Sequence, residues 1–212
     1  MTPERDPDLA GQLDRLLRWR RDVRHFAARP VAEADMRDLL ETAALAPSVG
    51  NAQPWRFVRV RSAGLRGALA DHVDACVADA ARDQADPDRR NLYSSLKLHG
   101  LREAPELLAV FCDDHPQAGH GLGIATMPEM LRYSTVMAIH TLWLAARARG
   151  IGLGWVSILD PETVFAMLDV PSDWALIALL CVGYPAQPSL TPELEQRGWQ
   201  KREPMAGRVI DR

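Results

Sequence analysis

The chain of 212 residues is long enough for one sizeable core and too short for two comfortable domains. Hydrophobic residues make up 47% and charged residues 25%, an ordinary globular balance, and a net charge of −3 argues against a general nucleic-acid role, which needs a basic excess. The polar start Thr2-Pro3-Glu4-Arg5-Asp6 is no signal peptide, and the longest apolar run, 174–183, is about half of what spans a bilayer.

In chain order, residues 8–20 place Leu9, Leu13, Leu16 and Leu17 on one face at helical spacing, predicting a helix that delivers an arginine cluster at its end. A second helix over 33–45 is stopped by Pro47. Trp55-Arg56-Phe57-Val58-Arg59-Val60 alternates apolar and basic residues, as a strand with one buried face does. A helix over 62–84 is broken by Gln84-Ala85-Asp86-Pro87-Asp88, and another follows over 91–103, then a strand over 107–112. Residues 113–128 form a loop rich in Gly, His, Pro and Asp, long enough to suggest function. Residues 133–149, with Val136, Ile139, Leu142, Trp143 and Leu144, read as a central core helix. A short strand at Trp155-Val156-Ser157-Ile158, a helix over 161–168 and the most buried strand, 174–182, complete the series.

From Tyr184 on, Pro185, Pro188 and Pro192 limit regular structure, so 184–212 reads as an arm of the kind that wraps a partner subunit. The pattern predicts a single α+β domain over 1–212, with the helix 133–149 behind the sheet. Cys76, Cys112 and Cys181 lie far apart with no CxxC pair, as expected of buried thiols in a reducing cytoplasm.

Arg20, Arg21 and Arg24 each carry a planar fork matched to phosphate oxygens, and a continuing helix would put Arg20 and Arg24 on one face. A charge run alone is more often a solvated surface. The turn Ala46-Pro47-Ser48-Val49-Gly50-Asn51-Ala52-Gln53-Pro54-Trp55 shifts that balance. Ser48 offers a hydroxyl, Gly50 close backbone approach, and Asn51 and Gln53 groups for the polar edge of a planar heterocycle. A third segment, Gly150-Ile151-Gly152-Leu153-Gly154-Trp155-Val156-Ser157, mimics a dinucleotide fingerprint in the wrong order, since here a helix precedes and a strand follows. Its glycines are expected to let backbone lie flat beside a ligand ring, with the Ser157 hydroxyl available near the start of a strand. A serine in that position is more often merely buried and hydrogen-bonded.

These segments, with Tyr93-x-x-Leu96-Lys97-Leu98-x-Gly100-Leu101-Arg102-Glu103-Ala104-Pro105, Tyr133-Ser134-Thr135-Val136 and Gly198-Trp199-x-Lys201-Arg202, resemble the 5,6-dimethylbenzimidazole synthases, a divergent branch of the nitroreductase superfamily. The resemblance implies a nitroreductase-like fold, with a central, mostly antiparallel sheet flanked by helices and an extended C-terminal arm. It also implies an FMN-binding homodimer with its sites at the subunit interface. Arg20, Arg21, Asp22, Val23, Arg24 and Ser48 are then flavin contacts, as are Leu98 and Gly154, with Ser157 beside the isoalloxazine and Lys201 or Arg202 completing the phosphate site.

The implied reaction consumes reduced FMN and dioxygen and yields 5,6-dimethylbenzimidazole and erythrose 4-phosphate, with a separate flavin reductase supplying reduced FMN. Asp22 stands where ordinary members of the fold carry serine, and it and Ser157 are the expected catalytic residues. Apolar walls would raise the pKa of Asp22 and its arginine neighbours would lower it; without the family context, a cap or a salt bridge to Arg20 or Arg24 is the better reading. Residues 115–127 are the expected lid, hinged at Gly119, Gly121 and Gly123, and His115 and His120 read as surface histidines rather than metal ligands. Two rivals remain: an NAD(P)H-dependent nitroreductase or flavin reductase, and a non-catalytic FMN-binding protein.

Overall fold

A computed structural model describes residues 7–187 and 189–212. Helix α1 (Pro7–Trp19) leads to α2 (Glu33–Ala43) and a short 3-10 turn (Val49–Asn51). Strand β1 (Trp55–Arg59), helices α3 (Ala63–Arg82) and α4 (Pro87–Ser95), and strand β2 (Glu106–Asp113) follow. Helix α5 (Met130–Ala148), β3 (Gly152–Val156), α6 (Pro161–Leu168), β4 (Trp174–Gly183) and a single-turn α7 (Glu193–Gln196) complete the order.

The sheet runs β1-β2-β4-β3 with every neighbour antiparallel. β2 and β4 form its centre because their apolar runs can bury both faces. Leu108, Val110, Leu180 and Val182 pack with Met36, Leu39, Ile139 and Leu142 of α2 and α5. Leu107, Ala109, Phe111, Leu179 and Cys181 pack on the other side with Leu69, Val73 and Val164 of α3 and α6. The helix behind the sheet is α5, as its apolar character predicts.

Several expectations change. The Asp86-Pro87 pair starts a helix as well as ending one. The Asp86 carboxylate accepts the Arg89 amide at 2.9 Å and Pro87 takes the first helical position, so α4 begins earlier than residue 91 and ends at Ser95. β1 has no freely solvated basic face. Arg56 pairs with Asp113 at 2.6 Å, and Arg59, only 16% exposed, reaches Glu33 and Glu106.

Helix α5 buries one face only: Tyr133, Val136 and Met137 are 52%, 40% and 46% exposed in the single chain. The leucine face of α1 is likewise uncovered at Leu13 and Leu17. Cys112 and Cys181 are buried, and desolvation pushes the Cys112 thiol up to about 11 and that of Cys181 up to about 12; Cys76 is half-buried.

Candidate functional site

The arginine segment is a strand-like attachment to the free edge of β3. The Arg20 amide closes the last turn of α1 on the Leu16 carbonyl at 2.9 Å. Asp22 then bridges Leu153 in parallel, and the Val23 amide donates to the Leu153 carbonyl at 3.0 Å. An edge strand offers unpaired amides and carbonyls, and this segment takes them. The helix therefore stops before Arg24, and the expected helical pairing of Arg20 with Arg24 is not formed.

Gly154 permits this close approach, since a Cβ there would run into the Val23 carbonyl; one at Gly152 would lie 2.7 Å from a Val23 methyl. The close neighbour on the Cβ side of these glycines is the protein's own Val23.

Asp22 is fixed through both carboxylate oxygens. Oδ1 accepts the Trp155 amide at 2.8 Å, and Oδ2 accepts Arg24 Nε at 2.9 Å. Arg24, its side chain 10% exposed, donates onward to the Lys97 carbonyl at 3.0 Å and so ties the Leu98 segment to the site. The salt bridge weighed as the ordinary reading of Asp22 is therefore present. The site gathers Arg20, Asp22, Val23, Arg24 and Gly154 around one edge of the sheet, with Leu98 next in chain to the Lys97 carbonyl that Arg24 holds. Ser157 falls one residue beyond the end of β3 and is exposed, so it is neither at a strand's start nor buried.

Trp143, which sequence reasoning left in the core, supports the segment from the α5 side, together with Trp155 of β3. Trp143 Nε1 donates to the Arg21 carbonyl at 3.1 Å, its ring stacks on Trp155 at 6.4 Å, and the Arg20 guanidinium lies over it at 4.9 Å. No local spacing links these tryptophans to residues 20–24, because the contacts join parts of the chain more than a hundred residues apart.

Positive charge gathers here. Burial lowers the pKa of the Arg20 guanidinium; Asp22 opposes the shift and Arg202 adds to it. Burial and the charges of Arg20, Arg202 and Arg147 lower that of Arg21 against the pull of Glu195. Arg202 therefore stands within electrostatic reach of both. The Arg21 Nε is buried and meets no partner among the described residues. An arginine group with an orphaned donor fits a phosphate, so the chain's own residues suit the anionic end of FMN.

The Ser48 turn is well built but stands elsewhere. Ser48 Oγ accepts the Gln53 amide at 3.0 Å, and the Val49 amide donates to Ser134 Oγ at 3.0 Å. Asn51 and Gln53 are exposed with φ of 54° and 49°, the left-handed region that non-glycine residues seldom adopt outside constrained sites. Gly50 lets the 113–128 loop dock, since a Cβ there would lie 2.8 Å from the Leu122 carbonyl oxygen.

Ser134 and Trp143 are nine residues apart on α5, about 14 Å of helix at 1.5 Å per residue. One chain thus holds the arginine segment and the Ser48 turn at opposite ends of α5, not side by side.

The arm begins by pairing with its own chain. The Ala27 amide donates to the Tyr184 carbonyl and the Ala186 amide to the His25 carbonyl, and Arg21 donates to the Leu190 carbonyl. Trp199 packs edge-on against Tyr93 at 5.8 Å with Arg89 over its ring at 4.3 Å. The first half of the arm, including α7, therefore folds on its own chain and carries Arg202 back to Arg20. Lys201 is exposed beside it, and residues 203–212 are exposed throughout.

Comparison with known proteins agrees with this geometry. The model of the nitroreductase family matches residues 17–184. The chain is 59% identical over 94% of both sequences to a 5,6-dimethylbenzimidazole synthase of Rhodospirillum rubrum. It is 50% identical, over 91% of this chain and 92% of the other, to one of Rhodobacter capsulatus. Among solved structures it is similar to oxidized iodotyrosine deiodinase bound to FMN and 3-iodo-L-tyrosine, with a TM-score of 0.73 and 27% identity over 94% of this chain and 97% of that one. With its four-stranded antiparallel sheet, its flanking helices and these relatives, the chain belongs to the nitroreductase family.

Proposed function

We propose that this chain is a 5,6-dimethylbenzimidazole synthase, an oxidoreductase that takes reduced FMN as substrate and, with dioxygen, fragments it to 5,6-dimethylbenzimidazole and erythrose 4-phosphate, the four carbons of the pyrimidine ring leaving as a third fragment. The benzimidazole serves as the lower ligand of cobalamin (vitamin B12). The observation that carries the reading is the likeness to the Rhodospirillum rubrum enzyme over nearly the whole chain, with Asp22 fixed at the centre of the gathered residues. Reduced FMN supplies both the electrons for dioxygen and the carbon skeleton of the product.

The residues divide the work. Arg20, Arg21 and Arg202, with Lys201, hold the phosphate end. Arg24 orients Asp22 and ties it to the Leu98 segment. Asp22 is the one carboxylate fixed among these arginines and moves protons at the ring; Ser157 presents a hydroxyl from the end of β3. The lid, residues 115–127 with Gly119, Gly121 and Gly123 at positive φ, closes over the site and keeps water out.

The active species is a homodimer in the cytoplasm, fed by a separate flavin reductase. The separation of the Ser48 turn from the arginine segment supports it, because a second copy can bring Ser48, Asn51 and Gln53 to the ring's polar edge. The uncovered α5 face at Tyr133, Val136 and Met137 suits that contact.

The test is an aerobic incubation with FMN, NADPH and a generic flavin reductase, analysed by mass spectrometry. Appearance of 5,6-dimethylbenzimidazole only when this protein is present is expected. FMN that cycles intact would replace the reading with hydride transfer or simple flavin binding.

A further inference from the structure

We propose that Arg147 is a ligand of the phosphate group, gripping it together with Arg21 from the C-terminal end of α5; this rests on the flavin reading above. Arg147 lies in the last turn of α5, one turn beyond Trp143, whose indole holds the Arg21 carbonyl. Its Nε is buried and has no partner among the described residues, as is true of Arg21 Nε. No acid among them forms an ion pair with it. Both arginines line one cavity of about 70 Å³, lined also by Trp143, Asp22, Glu193 and Thr191 and several times larger than the 10–15 Å³ one water needs.

The charges around the cavity do not balance. Arg147, Arg20 and Arg202 all repel Arg21, and only Glu195 draws it. Asp22 is committed to Arg24 and the Trp155 amide, and Glu193 faces His25 at 3.4 Å. With Asp22 and Arg24 paired to each other, the cavity wall carries Arg21 and Arg147 against the Glu193 carboxylate, and Arg20 and Arg202 add positive charge from outside the wall, an excess that a dianion meets. A half-buried cation without a counter-charge costs stability unless a ligand supplies one. Two arginines on one cavity wall, each with an Nε left without a partner among the described residues, therefore point to a phosphate monoester as the missing partner.

The experiment compares binding of FMN and riboflavin to the parent protein, Arg147→Met and Arg147→Lys by flavin fluorescence, and follows melting with and without inorganic phosphate. Arg147→Met is expected to weaken FMN binding by about 10-fold or more while leaving riboflavin unchanged. It should also abolish the melting shift caused by phosphate. The ligand-free variant should melt about 2–4 °C higher, because an uncompensated charge is gone. Arg147→Lys keeps the charge without the fork and should fall between the two.

An Arg147→Met protein that prefers FMN over riboflavin as strongly as the parent does overturns the inference; so does a Lys variant with the parent's preference if the Met variant does not fold. If the parent binds neither flavin, yet phosphate raises its melting point only when Arg147 is present, the anion site stands and the flavin reading falls.

Discussion

The carboxylate of Asp22 accepts the backbone amide of Trp155 at 2.8 Å, so the only acid fixed in the arginine segment also anchors that segment to β3. The proposed catalytic role and the local fold rest on one side chain. Substitutions of Asp22 therefore have to be read for both. Asp22→Asn keeps an oxygen for the Trp155 amide and loses the ion pair to Arg24. It should cost about 1–3 kcal/mol of stability, while 5,6-dimethylbenzimidazole formation falls by about 10²–10⁴-fold. Denaturant titration and product assay check the two effects separately. Parent-like product yield would remove Asp22 from the chemistry and leave it as an anchor.

What could be read from the sequence depended on how local its cause was. β2 and β4 were legible because a strand buried on both faces reads as a continuous apolar run. The Asp86-Pro87 break was seen, but its second use as cap and first residue of α4 needs the Asp86 carboxylate to reach forward to Arg89. The contact of Gly152 and Gly154 with Val23 was not legible, because only the folded chain brings Val23 against them. Asp22, Arg20 and Arg24 were legible as types, whereas their union with Trp143, Trp155 and Arg147 crosses more than a hundred residues and leaves no local pattern.

Gly154→Ala tests the attachment of the arginine segment. A methyl group at residue 154 runs into the Val23 carbonyl, which is backbone and has no rotamer to escape by. The expected loss is about 1–3 kcal/mol from overpacking, with FMN binding lost alongside because Asp22 and Arg24 are displaced. A variant with parent melting temperature and FMN affinity would mean the segment is not docked on β3 in solution.

Asp114 and Arg132 join the start of the 113–128 loop to α5 through Nε and Nη2. Burial raises the Asp114 carboxyl pKa, but its hydrogen bonds and ion pair with Arg132 prevail and hold it below the ordinary value of 3.8. A depressed carboxyl contributes stability above its unfolded pKa and loses it as pH falls through the folded one. The pair is partly exposed, so its worth is about 0.2–1 kcal/mol after solvent screening. Arg132→Gln should therefore lower the melting temperature by no more than about 4 °C at pH 7, with the difference fading below about pH 4. A pH-independent difference would point to lost packing instead.

The separation of the two half-sites along α5 makes a prediction that single substitutions cannot. If each site takes its arginine segment from one subunit and its Ser48 turn from the other, two defects on different subunits complement. Asp22→Asn and the Asn51→Ala, Gln53→Ala double variant should each be inactive as homodimers. Dissociated and reassociated together, they form mixed dimers in which one site carries both defects and the other carries neither. With random pairing in a two-fold dimer, about a quarter of the parent activity should return. No recovery, with exchange verified by mass, would place both half-sites in one subunit and require residues 46–55 to move some 14 Å along α5, at its 1.5 Å rise, to meet Asp22.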